Sequence, residues 1–352
     1  MTSNPIPAEP CYNPGHLPDN HTEIVYIMKR IALMLFILLT TVLVACGGKP
    51  AAPDELIPVR LPMGYIPDPQ YAPFYVAVEK GYFAEKGFAV EFDYSPETDG
   101  LALVGANELM MSVASGEQVL LARAQGLPVV YVTQWWQRFP VGVVAKAEAG
   151  IRTPADMVGR KVGLPGFYGA SYVGLVGLLS ANGLTLDDIN ANEIGFNQVE
   201  SLVTDQSEAV VIYLNNEPIR LAEEGVDIDI IAVADYIALV SNGLVTNEKT
   251  IAENPQMVQD FVDAFLRGLR DTLANPDEAY EISKNFVEGL DDSRKAVLTA
   301  SLPLWEAEVP GHTDPASWQQ TQDVLIEMGL LNGPLANLDQ AYTNRFIDNA
   351  AK

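Results

Sequence analysis

The sequence has few of the side chains that carry chemistry in enzymes. Among 352 residues there are two cysteines and three histidines, and Cys11, Cys46, His16 and His21 all lie in the first 46 residues. The remainder of the chain holds one histidine, His312, and no cysteine. These counts exclude disulfides, Cys/His zinc sites and cysteine nucleophiles from that remainder and leave little scope for histidine acid–base chemistry. We therefore expect a protein that is not an enzyme and needs no cofactor.

Basic residues are also scarce. There are 21 Lys and Arg against 46 Asp and Glu, which gives a formal net charge of −25. Nucleic acids and anionic membrane surfaces are both recognised by clustered Lys and Arg, so this charge argues against either partner being bound by charge alone. Hydrophobic residues make up 48% of the chain, enough to build cores, so the acidity indicates a solvated surface rather than disorder. The length suits two lobes.

A short apolar run near the N-terminus predicts a secretory signal. Met28-Lys29-Arg30 supplies the basic start, and residues 31–43 (IALMLFILLTTVL) are uncharged. A helix of this length extends about 20 Å, too short to cross a hydrocarbon core of about 30 Å. The run ends in Leu43-Val44-Ala45-Cys46, which resembles the bacterial lipobox, whose cysteine is acylated. We expect residues 28–45 to be a lipoprotein signal peptide and Cys46 the lipid anchor; a plain signal or a membrane stub is the alternative.

The segments on either side of this signal have simple predicted roles. Residues 1–27 contain no Lys or Arg and precede a signal that is already complete, so we expect an over-extended start. Cys11 and the two histidines near it are a possible metal cluster, but a discarded segment is the simpler interpretation. Residues 46–58 include GGKPAAP and are expected to tether the lipid to the folded body.

From residue 59 onward, short β-rich runs alternate with helical segments, which predicts a largely parallel α/β fold. Two stretches, 141–146 and 237–246, have the character of crossings between two α/β units. Two crossings make one unit discontinuous, with a ligand cleft where strand ends and helix starts converge. The predicted division is lobe 1 at 59–145 and 245–352 and lobe 2 at 146–244.

Several segments of the body resemble the solute-binding proteins of ABC importers. Residues 64–77 (GYIPDPQYAPFYVA), followed by Gly81-Tyr82-Phe83 and Gly87, are similar to the opening of the branch that binds thiamine precursors and aliphatic sulfonates. The resemblance covers nearly all of residues 59–350. The segments most similar to the riboflavin-binding proteins of bacterial riboflavin importers are 97–100, 115–118, 195–200 and 215–218.

This resemblance implies a type II periplasmic-binding-protein fold, with two α/β lobes of parallel-rich sheets joined by a two-crossing hinge. It also implies capture of riboflavin in the interlobe cleft and delivery to a membrane permease with its own ATPase. The binding protein is expected to be a monomer, lipid-anchored outside the cytoplasm on the cell membrane. The alternatives are a thiamine precursor pyrimidine or other small heteroaromatic as the ligand, an enzyme acting on such a pyrimidine, and a structural or sensory lipoprotein without a transporter. The cysteine and histidine features of the related pyrimidine synthases are missing, which argues against the enzyme.

Aromatic residues supply candidate walls for a flat ligand. Trp135 and Trp136 follow a β-rich run, and an indole face holds a planar heteroaromatic ring well. Adjacent strand residues face opposite sides, so we expect at least one of the two to reach the ligand, with packing of the first lobe as the alternative. The loop GLPGFYGAS joins a strand to a helix and offers Phe167 or Tyr168 as a second wall and Ser171 as a donor. Its glycine spacing is not that of a dinucleotide site.

Polar groups at the predicted strand ends would recognise an imide edge or hydroxyl groups without burying net charge. Turn formation and helix capping are the alternative roles for the asparagines at 215–216. Paired acids such as Glu97 and Glu117 are also found in sugar hydrolases, but no spacing argument brings these two together. The predicted ligand-binding residues are Tyr71, Glu97, Glu117, Trp135, Trp136, Phe167, Tyr168, Ser171, Asn197, Gln198, Tyr213, Asn215 and Glu217. No metal ligand is predicted.

The anchor prediction is testable by replacing Cys46 with Ala. Without a thiol to acylate, we expect the variant to move from the membrane fraction to the soluble fraction of the cells that express it. Immunoblots of fractionated cells measure this, with the unaltered protein as the control. A variant that stays with the membranes would contradict the lipid anchor.

Overall fold

A computed structural model describes residues 56–350, so the predicted start, signal peptide, Cys46 and most of the tether lie outside the described residues. The strands in this range are β1 (Ile57–Gly64), β2 (Phe88–Pro96), β3 (Ser112–Ser115), β4 (Val129–Gln134), β5 (Val141–Lys146), β6 (Lys161–Leu164), β7 (Asn190–Glu193), β8 (Ala209–Tyr213), β9 (Ile228–Ala232) and β10 (Asn242–Asn247).

Helices separate most of these strands and make up the C-terminal third. They are α1 (Ala72–Glu79), α2 (Tyr82–Glu85), α3 (Glu97–Gly105), α4 (Gly116–Ala124), α5 (Gly169–Ser180), α6 (Gln198–Val203), α7 (Glu217–Glu223), α8 (Glu248–Glu253), α9 (Pro255–Ala274), α10 (Pro276–Ser283), α11 (Lys295–Trp305), α12 (Pro315–Glu327) and α13 (Arg345–Ala350). Within residues 56–350, every helix is too short or too polar to cross a lipid bilayer.

The strands form three sheets. β1 and β2 pair in parallel, a three-stranded sheet has the order β3-β10-β4, and a five-stranded sheet has the order β7-β6-β8-β5-β9. The chain passes from the three-stranded to the five-stranded sheet between β4 and β5 and returns between β9 and β10, so there are two crossings, as predicted, but they lie at 135–140 and 233–241. The predicted stretch 141–146 is instead β5, and the second predicted stretch, 237–246, runs into β10, because both are the strands that receive the chain after it has crossed.

The sheets are mixed rather than largely parallel. β6 runs parallel to β7 and β8, whereas β5 and β10 run antiparallel to both of their neighbours. These two are the strands that directly follow the crossings. A chain that arrives from the other sheet enters at the opposite end from a chain that returns through a helix, which reverses its direction.

The register places polar residues beside both crossings. Asn242 at the start of β10 is paired with Ser115 at the end of β3, and Val141 at the start of β5 is paired with Tyr213 at the end of β8. The ends of β3 and β8 therefore both lie next to the segments that connect the two sheets. Helix α4 begins directly after the first of these ends, and α7 begins after a turn of three residues that follows the second.

The longest helix, α9, packs against α1 over an aromatic contact. Pro255 occupies its first helical position, where the missing N–H costs no hydrogen bond. Its buried stripe includes Phe265, whose ring centroid lies 4.5 Å from that of Phe74 in α1. Gly268 completes the contact, because a Cβ at this position would lie 2.2 Å from the backbone oxygen of Pro73.

Replacement of Gly268 with Ala tests this close approach. The added methyl group would force α1 and α9 apart, and overpacking of this kind typically costs about 1–3 kcal/mol. We expect a matching loss of unfolding free energy in urea. Arg270→Ala, an exposed position on the same helix, is the control and should change stability little. Equal stabilities of the two variants would contradict the contact.

Candidate ligand-binding site

Two of the predicted acids meet at one hydroxyl group. Glu97 opens α3 and Glu117 lies in the first turn of α4, and both reach Ser115 at the end of β3. Glu97 Oε2 accepts hydrogen bonds from the Ser115 backbone N–H (3.0 Å) and from its Oγ (2.6 Å), and Oε1 accepts one from Asn242 Nδ2 (2.7 Å). Glu117 Oε1 lies 2.8 Å from the same Oγ. The spacing in the sequence did not predict this pair, because it forms where α3 packs against the end of β3.

The environment of the pair keeps Glu117 protonated at neutral pH. Glu117 is 1% exposed, and burial together with the nearby charge of Glu97 raises its pKa to about 8. Burial also raises the pKa of Glu97, but the hydrogen bonds from Ser115 and Asn242 oppose that rise. The two acids therefore differ, because Glu97 accepts hydrogen bonds from several donors whereas Glu117 is buried with fewer donors.

Two tyrosines lie near this acid pair, one at the end of a strand and one in the turn before α1. Tyr213 ends β8 of the five-stranded sheet, and its pKa is raised by burial and then by the charges of Glu117 and Glu97. Tyr71, just before α1, has its pKa raised by burial and then by Glu97, and its hydroxyl donates to the Met63 backbone oxygen at 2.8 Å. The predicted residues Tyr71, Glu97, Glu117 and Tyr213 are thus brought together.

A third acid, Glu217, lies at the start of α7, after the turn from β8. Glu217 is buried and accepts a hydrogen bond from the Tyr213 backbone N–H at 2.8 Å, and burial raises its pKa. The pKa of Tyr65 is raised by burial and then by the charges of Asp68 and Glu217. The segment between β1 and α1 therefore lies next to the start of α7.

The sequence reasoning missed an ion pair in this region. Asp68 accepts from Arg294 at 2.5 Å and from the backbone N–H of Gln70 at 3.0 Å. Burial raises its pKa, while Gln70 and Arg294 oppose the rise. Asp68 lies within the segment 64–77 that resembles the solute-binding proteins, but its partner is 226 residues away. No local pattern identifies such a partner.

Asn215 connects the β8–α7 turn to α11. Its Nδ2 donates to Ser301 Oγ at 3.0 Å, and its Oδ1 is buried without a hydrogen-bond partner in the described residues. A turn or capping role alone would leave the side chain at the surface. Here it is 2% exposed and has one acceptor atom free.

Both predicted tryptophans are buried in an aromatic cluster. Trp135 and Trp136 are each within 6 Å of Trp305, with centroid distances of 5.6 and 5.7 Å, and the Trp135 ring lies 5.5 Å from that of Tyr71. The indole N–H groups of Trp135 and Trp305 lack a hydrogen-bond partner within the described range. Trp135 therefore backs the tyrosine that faces the acid pair, and Trp136 packs behind it.

The remaining predicted residues lie apart from the acid pair. Phe167 and Tyr168, before α5, are 46% and 61% exposed, while Ser171 is buried in the first turn of that helix. Asn197 is exposed and donates to the Ile194 backbone oxygen at 3.1 Å, and Gln198 begins α6 as a buried residue. No hydrogen bond among the described residues joins these five to Glu97 or Glu117. Their binding roles stay predictions.

No group of three or more His, Cys, Asp or Glu within residues 56–350 is placed to hold a metal ion. The acid pair supplies only two such side chains.

The pKa of Glu117 predicts how stability depends on pH. Its folded pKa of about 8 lies above the usual value of about 4.3 for Glu, so its proton contributes fully to stability below pH 4. As the pH rises from about 4 to 8, the unfolded chain loses this proton first, and the group's contribution falls by up to about 1.4 kcal/mol per pH unit. Glu117→Gln removes this titratable group. As the pH rises from about 4 to 8, the unfolding free energy of the variant should therefore increase relative to that of the unaltered protein.

Denaturant unfolding at several pH values measures this difference. Glu253→Gln makes the same replacement at an exposed helix position and serves as the control. Profiles for the unaltered protein and Glu117→Gln that run parallel from pH 4 to 8 would rule out a raised pKa.

The comparisons with known proteins agree with this architecture. A sequence profile described as NMT1/THI5 like matches residues 68–279. The chain is 38% identical to the riboflavin-binding protein RibY of Chloroflexus aurantiacus, over 91% of this chain and 99% of that protein. It is 32% identical to the formylaminopyrimidine-binding protein of Halalkalibacterium halodurans, over 89% and 98% of the two chains.

A more distant relative is an enzyme. The 4-amino-5-hydroxymethyl-2-methylpyrimidine phosphate synthase of Aspergillus parasiticus is 25% identical, over 79% of this chain and 84% of that protein. Among solved structures, the periplasmic aliphatic sulphonate binding protein SsuA of Escherichia coli superposes with a TM-score of 0.67 at 14% identity, covering 81% and 91% of the two chains. This likeness confirms the predicted periplasmic-binding-protein fold. On the extent of the profile match and of the full-length similarity, the chain belongs to the NMT1/THI5-like family.

Proposed function

We propose that this protein is the solute-binding component of an ABC importer, and that it captures riboflavin and delivers it to a membrane permease. The observation that carries this proposal is the 38% identity to a protein named for riboflavin binding, over nearly the whole of both chains. A match of this extent includes all three sheets and both crossings. Segments from both lobes would therefore take part in binding.

The chemistry of the site favours a flat ligand without negative charge. The acid pair carries at least one negative charge through Glu97, and the nearby Arg294 is neutralised by Asp68. An anion such as a sulfonate would meet repulsion here, because opposed charges are needed to offset desolvation. Free hydrogen-bonding atoms on Glu117 and Asn215 instead suit the neutral polar edge of a heterocycle.

We further propose that ligand is held between two lobes that divide at the crossings, so that β5 belongs to the lobe of the five-stranded sheet and β10 to the lobe of the three-stranded sheet. The inner set of contacts comprises Tyr71, Glu97, Glu117, Trp135, Tyr213, Asn215 and Glu217. Phe167 and Tyr168 stand exposed at the start of α5, where they would cover the ligand as the lobes close. Trp136, Ser171, Asn197 and Gln198 complete the proposed set.

We also propose that the ligand leaves unchanged and that the protein acts as a lipid-anchored monomer outside the cytoplasm. The scarcity of histidine and cysteine in the body supports binding without catalysis. The lipobox-like segment ending at Cys46 supports the anchor. No cofactor is part of this proposal.

A pyrimidine related to thiamine precursors is the second candidate ligand. The 32% identity to the formylaminopyrimidine-binding protein favours it, again over most of both chains. Catalysis on such a pyrimidine, the activity named for the more distant relative, predicts ligand turnover on prolonged incubation. Recovery of intact ligand by chromatography would exclude that activity.

Riboflavin binding is tested by quenching of flavin fluorescence in a titration with the purified protein. We expect saturable binding at micromolar riboflavin. Trp135→Ala should weaken it by at least tenfold, about 1.4 kcal/mol, because Tyr71 loses its backing and the ligand loses an aromatic wall.

Phe261→Ala is the control. Phe261 is fully buried but packs on Phe83 and Phe88, with ring centroids 4.7 and 5.5 Å away, so it tests the general effect of losing a core aromatic ring. No riboflavin binding, together with saturable binding of the formylaminopyrimidine, would replace the leading ligand with the second one. Equal affinities of the Trp135 and Phe261 variants would remove Trp135 from the site.

A further inference from the structure

The hydroxyl group of Ser115 has more acceptors near it than it can satisfy. Its Oγ lies 2.6 Å from Glu97 Oε2 and 2.8 Å from Glu117 Oε1. A serine hydroxyl has one hydrogen and can donate it to only one of these oxygens. The other short contact requires a hydrogen on a carboxyl group, since two ionised carboxylates at this distance would repel each other. One of the two acids is therefore protonated.

The donors around each acid identify which one carries the proton. Glu97 accepts from the Ser115 backbone N–H and from Asn242 Nδ2 as well as from the hydroxyl, so all of its contacts are with donors. Glu117 meets fewer donors, namely the shared hydroxyl and its own backbone N–H. The hydrogens therefore run in one direction: Glu117 Oε1–H donates to Ser115 Oγ, which donates to ionised Glu97.

This arrangement leaves the second oxygen of Glu117 as a free acceptor. Oε2 is buried and has no hydrogen-bond partner in the described part of the chain. The ionisable groups that face Glu117 are Glu97 from α3, Tyr131 from β4 and Tyr213 from β8. The Tyr131 hydroxyl already donates to the Ser241 backbone oxygen at 3.0 Å. A ligand group that contacts Oε2 of the protonated acid would therefore be a hydrogen-bond donor.

We propose that Glu97 and Glu117 hold one proton between them through Ser115, and that the free oxygen of neutral Glu117 accepts a hydrogen bond from a ring N–H of the bound heterocycle. The second half of this proposal rests on the proposed function. The ligand class is a neutral heterocycle with an imide or amide edge, such as the N3–H flanked by carbonyls in a flavin. The hydrogen stays on the ligand nitrogen, so binding transfers no proton.

The shared proton is tested on the protein without ligand. The infrared difference spectrum at neutral pH between the unaltered protein and Glu117→Gln should show the carbonyl band of one protonated carboxyl group, which the variant lacks. Glu97→Gln should retain this band but unfold at a lower temperature, because its amide NH₂ faces donors from Ser115 or Asn242. A band that is lost in Glu97→Gln and kept in Glu117→Gln would overturn the assignment, as would the absence of a band in all three proteins.

The ligand contact is tested with riboflavin and its N3-methyl derivative, which lacks the ring N–H. The unaltered protein should bind riboflavin at least tenfold more tightly than the methyl derivative. Glu117→Leu removes the acceptor and should bind riboflavin at least tenfold more weakly, with little preference between the two flavins. If the Leu variant fails to fold, the comparison of riboflavin with its N3-methyl derivative on the unaltered protein still decides the contact.

The possible failures are distinguishable. If the unaltered protein binds no riboflavin, the proposed function fails and takes the ligand contact with it, while the infrared band still decides the shared proton. If riboflavin binds but the methyl derivative binds equally well, the proposed function stands and the role of Glu117 is overturned. Glu253→Gln, exposed and remote in the sequence from the pair, should bind both flavins as the unaltered protein does.

Discussion

The contact of two buried acids with the Ser115 hydroxyl is the interaction on which the candidate site depends. Two carboxylates out of water would be costly, since each loses its hydration and repels the other. The structure limits that cost by supplying Glu97 with donors from Ser115 and Asn242 and by leaving Glu117 neutral. The result is a buried polar group with a single negative charge, which suits a neutral ligand better than an anion.

The fold explains why the acid pair lies near Tyr213 and the start of α7. The chain crosses between the three-stranded and five-stranded sheets twice, and the paired ends Ser115–Asn242 and Val141–Tyr213 both adjoin those crossings. Tyr213 and the acid pair therefore lie at strand ends that both adjoin the crossings. The aromatic cluster around Trp135 and Trp305 directly follows the end of β4. Motion at the crossings would change the space between the two sheets and would also shift contacts in the buried apolar cluster that they share, which includes Tyr131 of β4 and Val143 of β5.

Strand and helix periodicity, with the resemblance to solute-binding proteins, was sufficient to predict the α/β class and the two crossings. Glu117 and Tyr213 were also among the predicted ligand-binding residues, because residues at strand ends collect at one edge of a sheet, and their binding roles stay predictions. The direction of β5 and β10 was missed, since a local pattern does not reveal from which end a strand enters. The alternation rule did not apply to Trp135 and Trp136, because β4 ends at Gln134, and both rings turn into the core. The Asp68–Arg294 pair and the role of Asn242 depend on tertiary contacts that no short sequence window contains.

The most direct test of a heterocycle held between the two units is a crystal structure of the protein with riboflavin. It should show the flavin ring in contact with residues of both units, with its N3–H within hydrogen-bond distance of Glu117 Oε2 and Tyr213 beside it. A flavin that contacts only one of the two units, or one that leaves Glu117 Oε2 without a donor, would contradict this account.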